Sequence, residues 1–180
     1  MRELSMHILD IAQNSIVANA SFIQITIDEN LKADTLTITI EDDGKGMNQE
    51  ELAMVTNPFF TSRTTRRVGL GIPMFKASAE ACDGAFEIKS SKGIGTHVKA
   101  EFKHSHIDRV PLGNMVDTMV VLITSDVNID FLYTHRINSN VYILNTKDIK
   151  EVLGEVQINN MDVIDWIKGN MIEGLKELTR

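Results

Sequence analysis

Apolar positions recur at intervals of three and four from the start of the chain. Leu4, Ile8, Ile11, Ser15 and Ala18 fall on one side, with Leu9, Ala12 and Ile16 beside them, which predicts a helix over 4–19. The period then changes to two. Residues 21–28 alternate and are rich in β-branched side chains, and 35–41 (Thr-Leu-Thr-Ile-Thr-Ile-Glu) alternate without interruption, so two strands are expected, joined as a hairpin across 30–34. A short helix follows over 48–55, with Asn48 as its cap and Glu51 three residues on, and Pro58 ends it. Residues 59–68 lack core periodicity and are dense in Thr, Ser and Arg, the pattern of a solvated loop. Helical spacing returns over 72–82, where Pro73 sits in the first turn and loses no hydrogen bond, and Gly84 closes the helix. Residues 86–91 and 97–102 read as a second pair of strands around a glycine-containing turn.

The order helix, two strands, helices, two strands predicts an α+β fold, a two-layer α/β sandwich whose antiparallel or mixed sheet carries helices on one face. Polar residues, Pro111 and Gly113 break the pattern at 104–114. That places a domain over 1–106 and a smaller α/β extension over 107–180. Within the extension, 118–124, 131–135 and 141–144 are expected as strands, 147–153 as a short helix and 162–178 as a terminal amphipathic helix. Trp166, Ile167, Met171 and Leu175 on that last helix are expected in the core rather than on a docking face.

Composition narrows the class. With 43% hydrophobic and 24% charged residues the chain is an ordinary globular one, and a net charge of −7 argues against nucleic acid as a partner. Cys82 is the only cysteine, which excludes a disulfide framework or a multi-cysteine metal site within one chain and favours a reducing compartment. The longest apolar run, 119–123, is too short to span a bilayer, and the first residues lack the apolar stretch of a signal peptide. A cytoplasmic location without membrane contact is expected.

Three glycine-centred boxes carry the chemistry: Glu-Asp-Asp-Gly-Lys-Gly-Met (41–47), Val-Gly-Leu-Gly-Ile (68–72) and Gly-Ile-Gly-Thr (93–96). Asp42 ends a strand and is followed by Gly44, Gly46 and Met47, so its carboxylate is placed to accept from an exocyclic amine while the glycines admit a flat ring. A simple Asp-Gly turn is the plainer reading of that box taken alone. Gly69, Leu70 and Gly71 precede a helix whose first N–H groups suit a phosphate, although a helix-entry turn would look the same. Asp10 and Asn14, four apart, share one side of the first helix. Asn14 offers a neutral oxygen suited to Mg²⁺, and Asp10 a carboxylate that orients or deprotonates a water; a polar stripe on a surface helix is the alternative. Thr61, Arg63, Arg66 and Arg67 supply donors suited to closing over a triphosphate. His7 is expected to pack or meet solvent, and Cys82 to be a small buried residue.

Taken together, residues 4–103 resemble the superfamily of gyrase, heat-shock chaperone, histidine kinase and MutL ATPases, whose nucleotide site is the Bergerat fold. Asn57-Pro-Phe-Phe-Thr-Ser-Arg, Gly69-Leu-Gly-Ile, Lys76 and Gly93-Ile-Gly-Thr look like the catalytic half of a sensor histidine kinase, while Asp10-Ile-Ala-Gln-Asn14-Ser is closer to MutL. The resemblance implies ATP and Mg²⁺ as ligands. It makes Asn14 the Mg²⁺ ligand, Asp42 the adenine reader, Gly44 and Gly46 the turn under the base, and Gly69, Leu70 and Gly71 the phosphate-side box. Thr96 becomes the threonine near the base and 61–68 the ATP lid. Members that hydrolyse ATP usually carry Glu where Asp10 stands, and one methylene fewer displaces a base by roughly an ångström. Histidine kinases commonly carry a basic or polar residue where Val17 stands. Because the first helix begins near residue 1, autophosphorylation in cis is not expected.

The expected function is an ATP-binding regulatory protein that phosphorylates or switches a protein partner, as anti-sigma-type kinases do. A slow MutL-like ATPase with Asp10 as base and a non-catalytic nucleotide sensor are the alternatives. A homodimer is compatible with all three.

Overall fold

The computed structural model describes residues 1–57, 59 and 70–180. Its first helix, α1 (Leu4–Val17), buries Leu4, Ile8, Ile11 and Ala12, the face that the spacing of apolar positions marks out. The alternating segments form β1 (Phe22–Asn30) and β2 (Thr35–Asp42), paired antiparallel from Ile23↔Asp42 to Asn30↔Thr35. Their period of two turns Ile23, Ile25, Ile27, Leu36, Ile38 and Ile40 inward, each at most 2% exposed. Burying a side chain of this size stabilises by about 1.5–3 kcal/mol over leaving it in water. Thr26, Thr37 and Thr39 point to the other, half-exposed face, so the threonine alternation is the outer skin of a sheet covered on one side.

The capping box of α2 (Gln49–Val55) forms as its sequence predicts. The Asn48 side chain accepts from the Glu51 N–H at 2.8 Å, and Glu51 Oε2 accepts from the Asn48 N–H at 2.9 Å. After it come α3 (Gly71–Ala81), with Pro73 in its first turn, then β3 (Ala85–Ser91) and β4 (Gly95–Lys103). Phe75 anchors α3 to the sheet, its ring tilted against Phe102 at 5.9 Å and edge-on to Phe86 at 6.1 Å. Cys82 is buried at the end of this helix, and its thiol is pushed above the usual range, chiefly by desolvation.

The expected strand at 118–124 is instead part of a helix, α4 (Met115–Ser125). Val120, Val121, Ile123 and Thr124 favour strands locally. However, Met115, Thr118, Met119, Leu122 and Ile123 are buried at helical spacing, against α1 and the terminal helix. Asn114 caps the start, accepting from the Asp117 N–H at 3.0 Å, so tertiary packing overrides β-propensity here. The remaining elements are β5 (Asp130–Ile137), β6 (Asn140–Asn145), α5 (Thr146–Leu153) and α6 (Met161–Glu177).

All the strands join one six-stranded sheet in the order β3-β4-β2-β1-β5-β6. β5 runs parallel to β1 and every other neighbouring pair is antiparallel. The sheet is mixed, and residues 107–180 extend it past β1 rather than building a separate one. The result is a two-layer sandwich, helices over one face. At one end of that face Glu29 of β1 accepts from His135 Nε2 of β5 and from His104 Nε2, one residue past β4, at 2.7 Å each. Burial pushes the Glu29 carboxyl up, but the two hydrogen bonds and the histidines' charge outweigh it and hold the pKa below the usual range.

His7 packs rather than meeting solvent. It is 3% exposed, stacks on Phe75 at 5.3 Å, and its Nδ1 has no hydrogen-bond partner among the described residues. Burial, with a smaller contribution from the positive N-terminus, lowers its pKa to about 4. The unfolded chain therefore takes up a proton near pH 6.5 that the folded chain refuses until about pH 4. His7 leaves stability intact above pH 6.5 and withdraws it as pH falls through that window. Denaturant melts at pH 7.5 and pH 4.5 should show His7→Phe keeping the stack and losing about 2 kcal/mol less than the native chain on acidification. Equal acid sensitivity of the two proteins would contradict this.

Candidate nucleotide site

At the other end of the sheet, the C-terminal half of α1, the end of β2, the start of β4 and the start of α3 surround an open cavity of about 320 Å³. That is the lower range of small-molecule sites. Ile11, Ile40, Ile72 and Val98 give it an apolar wall, and Asn14, Ser15, Asp42, Lys45, Glu51 and Thr96 supply its polar groups.

Asp42 is fixed from two sides. Its Oδ2 accepts from Ser15 Oγ at 2.5 Å and its Oδ1 from the Gly44 N–H at 2.9 Å. These bonds tie α1 to the end of β2 and leave each carboxylate oxygen with further acceptor capacity, and Asp42 lines the cavity. Thr96 lies directly across the β2–β4 ladder from Asp42. The Thr96 hydroxyl is 2.8 Å from Ser90 Oγ, which in turn accepts from the Met47 N–H at 2.8 Å. Ser90 thus connects the first glycine box to the third.

The turn glycines serve packing more than access. A Cβ on Gly44 would sit 2.8 Å from the Ala18 carbonyl oxygen, and Gly44 lies beneath the cavity rather than along it. Gly46, at φ 65°, lines the cavity and would drive a Cβ into the Ser91 carbonyl. Met47 lines it as well. Of the two glycines expected beneath a ring, Gly46 lines the cavity and Gly44 does not.

Asn14 and Asp10 lie on the same side of α1 and do different things. Asn14 lines the cavity, and its side-chain amide makes no hydrogen bond among the described residues. Asp10 stands back from the cavity wall against the start of α3, its Cβ 3.3 Å from where a side chain on Gly71 would begin. Burial holds the Asp10 carboxyl above the usual range. The first turn of α3 has no side-chain cap at Leu70, which leaves N–H groups for an anion. Neither Leu70 nor Gly71 is part of the cavity wall itself. Thr61, Arg63 and Gly69, with the rest of 61–68, lie outside the described residues.

No group of three or more His, Cys, Asp or Glu side chains able to hold a metal occurs among the described residues. The donors present suit a Mg²⁺ that arrives with phosphate oxygens and keeps its waters, since such an ion needs one or two protein oxygens and not a cage. Asn14 Oδ1 is free to be one of them.

Several residues that shape the site escape sequence reasoning. Ser15 was visible as a core position and as the end of the Asp10–Ser15 motif, but helical periodicity says nothing of a partner 27 residues away. Ser90 carried no motif signal, and Lys45 was quoted within the first glycine box without a role of its own. Glu51 was readable as a cap, and it is also a wall of the cavity.

Comparison with known proteins agrees with this geometry. Residues 2–106 match the family described as histidine kinase-, DNA gyrase B-, and HSP90-like ATPase. Sporulation kinase C of Bacillus subtilis is 30% identical over 94 residues, 52% of this chain and 22% of the kinase. Sensor protein kinase FleS of Pseudomonas aeruginosa is 35% identical over 89 residues, 49% of this chain and 22% of that one. The chain thus spans less than a quarter of the length of these relatives. Among solved structures, the MutL ATPase domain of Aquifex aeolicus complexed with ADP superposes with a TM-score of 0.52 at 11% identity, over 85% of this chain and 69% of that one. The N-terminal domain of a DNA repair protein gives 0.55 at 14% identity, over 86% and 58%. These two likenesses are of fold. With its sheet, its helix layer and its cavity between α1 and α3, the chain belongs to the histidine kinase-, DNA gyrase B- and HSP90-like ATPases, a family of ATP-binding domains that its residues 2–106 match.

Proposed function

We propose that the chain binds Mg-ATP in the cavity between α1 and α3 and uses it to phosphorylate a partner protein or to switch its hold on one. The observation that carries this reading is Asp42, a carboxylate fixed by Ser15 and Gly44 at the edge of an apolar slot. The 6-amine of adenine donates to such a group, whereas guanine would present a carbonyl oxygen to it and leave both acceptors unpaired. The isoleucines and Val98 cover the ring faces. Asn14 holds Mg²⁺ together with phosphate oxygens, and the N-terminus of α3 faces the phosphate chain.

Phosphoryl transfer needs little covalent chemistry from the protein; it needs alignment of the phosphates and neutralised charge. In this reading Asn14 aligns the metal, and Arg63 with its neighbours in 61–68 supplies positive charge. The attacking group belongs to the partner. Residues 107–180 form a partner-facing region, and cytoplasmic placement and a regulatory role belong to the same proposal.

A second reading, slow hydrolysis with Asp10 as base, is favoured by one feature. The half-buried Asp10 carboxyl has its pKa raised by desolvation and sits beside α3, and a carboxylate so shifted is a stronger base than a fully exposed one.

Two measurements test these readings. In equilibrium titrations with Mg²⁺, ATP should bind at least about tenfold more tightly than GTP. Asp42→Asn should weaken ATP by about 1–3 kcal/mol, the cost of a charged hydrogen bond. Asn14→Ala should remove the benefit of Mg²⁺ while sparing metal-free nucleotide. Equal affinity for ATP and GTP, or an unaffected Asn14→Ala, would contradict the site assignment. With γ-labelled ATP and a lysate of the source cells, the kinase reading expects labelled protein bands that survive Asp10→Asn. Free phosphate that disappears with Asp10→Asn would establish the ATPase instead.

A further inference from the structure

The terminal helix divides the residues expected together in the core. Ile167 and Met171 are fully buried and Leu175 is half-buried, but Trp166 is 56% exposed. It stands over a groove of about 500 Å³ between α5 and α6, nowhere near the nucleotide cavity in lining residues. Ile149, Val152 and Leu153 of α5 form one side, and Val163 and Trp166 of α6 the other. Spacings of three and four put each set on one helical face. Ile149 and Leu153 turn their inner sides to the core, whereas Val152 is 89% exposed, and Met161 nearby is 82% exposed. An open Trp and Val facing each other across an apolar floor leave apolar area in water that no described residue covers.

The rim carries one sign of charge. Asp148 and Asp162 line the groove, and Glu151 and Asp165, beside Val152 and Trp166 in sequence, are exposed. Lys147 is exposed next to Asp148, Lys168 is half-buried, and Lys150 is committed to Asp130 at 2.9 Å and to the Ile129 carbonyl. Acidic groups therefore dominate both lips. A second copy of this chain would bring the same acidic lips together and is disfavoured by like-charge repulsion.

We propose that the α5–α6 groove is the docking site for an amphipathic helix of a partner protein, whose apolar ridge seats between Val152 and Trp166 and whose flanking Lys and Arg side chains meet the acidic rim. This is the helix-in-groove mode of recognition, with apolar anchors for affinity and charge for orientation. The inference rests on α5 and α6 and stands whatever the fate of bound nucleotide.

Trp166 is the only tryptophan in the chain, so its fluorescence reports the groove without a label. The full chain is titrated with two synthetic Trp-free helical peptides sharing one leucine ridge, one flanked by Lys and Arg and the other by Glu. The basic peptide should shift Trp166 emission to the blue and saturate, and added salt should weaken it severalfold. The acidic peptide should leave the emission unchanged. Val152→Arg, at a position too exposed to disturb folding, should weaken the basic peptide at least about tenfold with an unchanged thermal melt. No shift with the basic peptide, equal response to both peptides, or undiminished binding by a folded Val152→Arg variant would overturn the proposal. So would a concentration-dependent shift without peptide, which would make a second copy the occupant.

Discussion

One carboxylate organises the functional end of the molecule. Asp42 takes a hydrogen bond from Ser15 on α1 and one from the backbone of Gly44 in the turn that follows β2. Helix, strand and turn therefore meet at one side chain. The position of that side chain is in turn set by the sheet, because the β1–β2 register that buries Ile25 against Ile40 and Ile27 against Ile38 also places Asp42 at the strand end beside α1. A shift of one residue would turn the isoleucines to water and swing Asp42 to the opposite face. Core packing and the placement of Asp42 in the cavity are in this sense one constraint.

The two ends of the helix-covered face differ in what they do with polar groups. At the Glu29 end each carboxylate oxygen is met by a histidine, and the cluster links β1 to β5 and to the turn after β4 through bonds of 2.7 Å. At the Asp42 end the carboxylate keeps further acceptor capacity beside an open cavity and the Asn14 amide has no protein partner among the described residues. A structure leaves such groups unmatched at a cost, and a ligand that supplies the missing partners recovers it.

Much of this was legible in the sequence because the relevant signals are local. Alternation in β1 and β2, the Asn48–Glu51 capping box and the spacing of α1 each depend on neighbours within a few residues, and all form as expected. The first and third glycine boxes supply Asp42, Gly46, Met47 and Thr96 to one cavity, and the first helix supplies Asn14. What escaped depends on distant contacts. α4 is a helix because α1 and α6 cover its apolar face, and Ser15 matters because β2 ends beside it. Trp166 is exposed although the residues next to it in the pattern are core, since helical spacing does not say how wide the buried stripe is. The role of Gly44, which packs against Ala18 rather than along the cavity, was equally hidden.

The most direct test of the account is amide hydrogen exchange read by mass spectrometry with and without Mg-ATP. Nucleotide seated as described slows exchange in peptides covering the C-terminal half of α1, the turn after β2 and the start of β4, and leaves α5 and α6 unchanged. Protection that falls on α5 and α6, or none around Asp42 and Asn14 at saturating nucleotide, would contradict it.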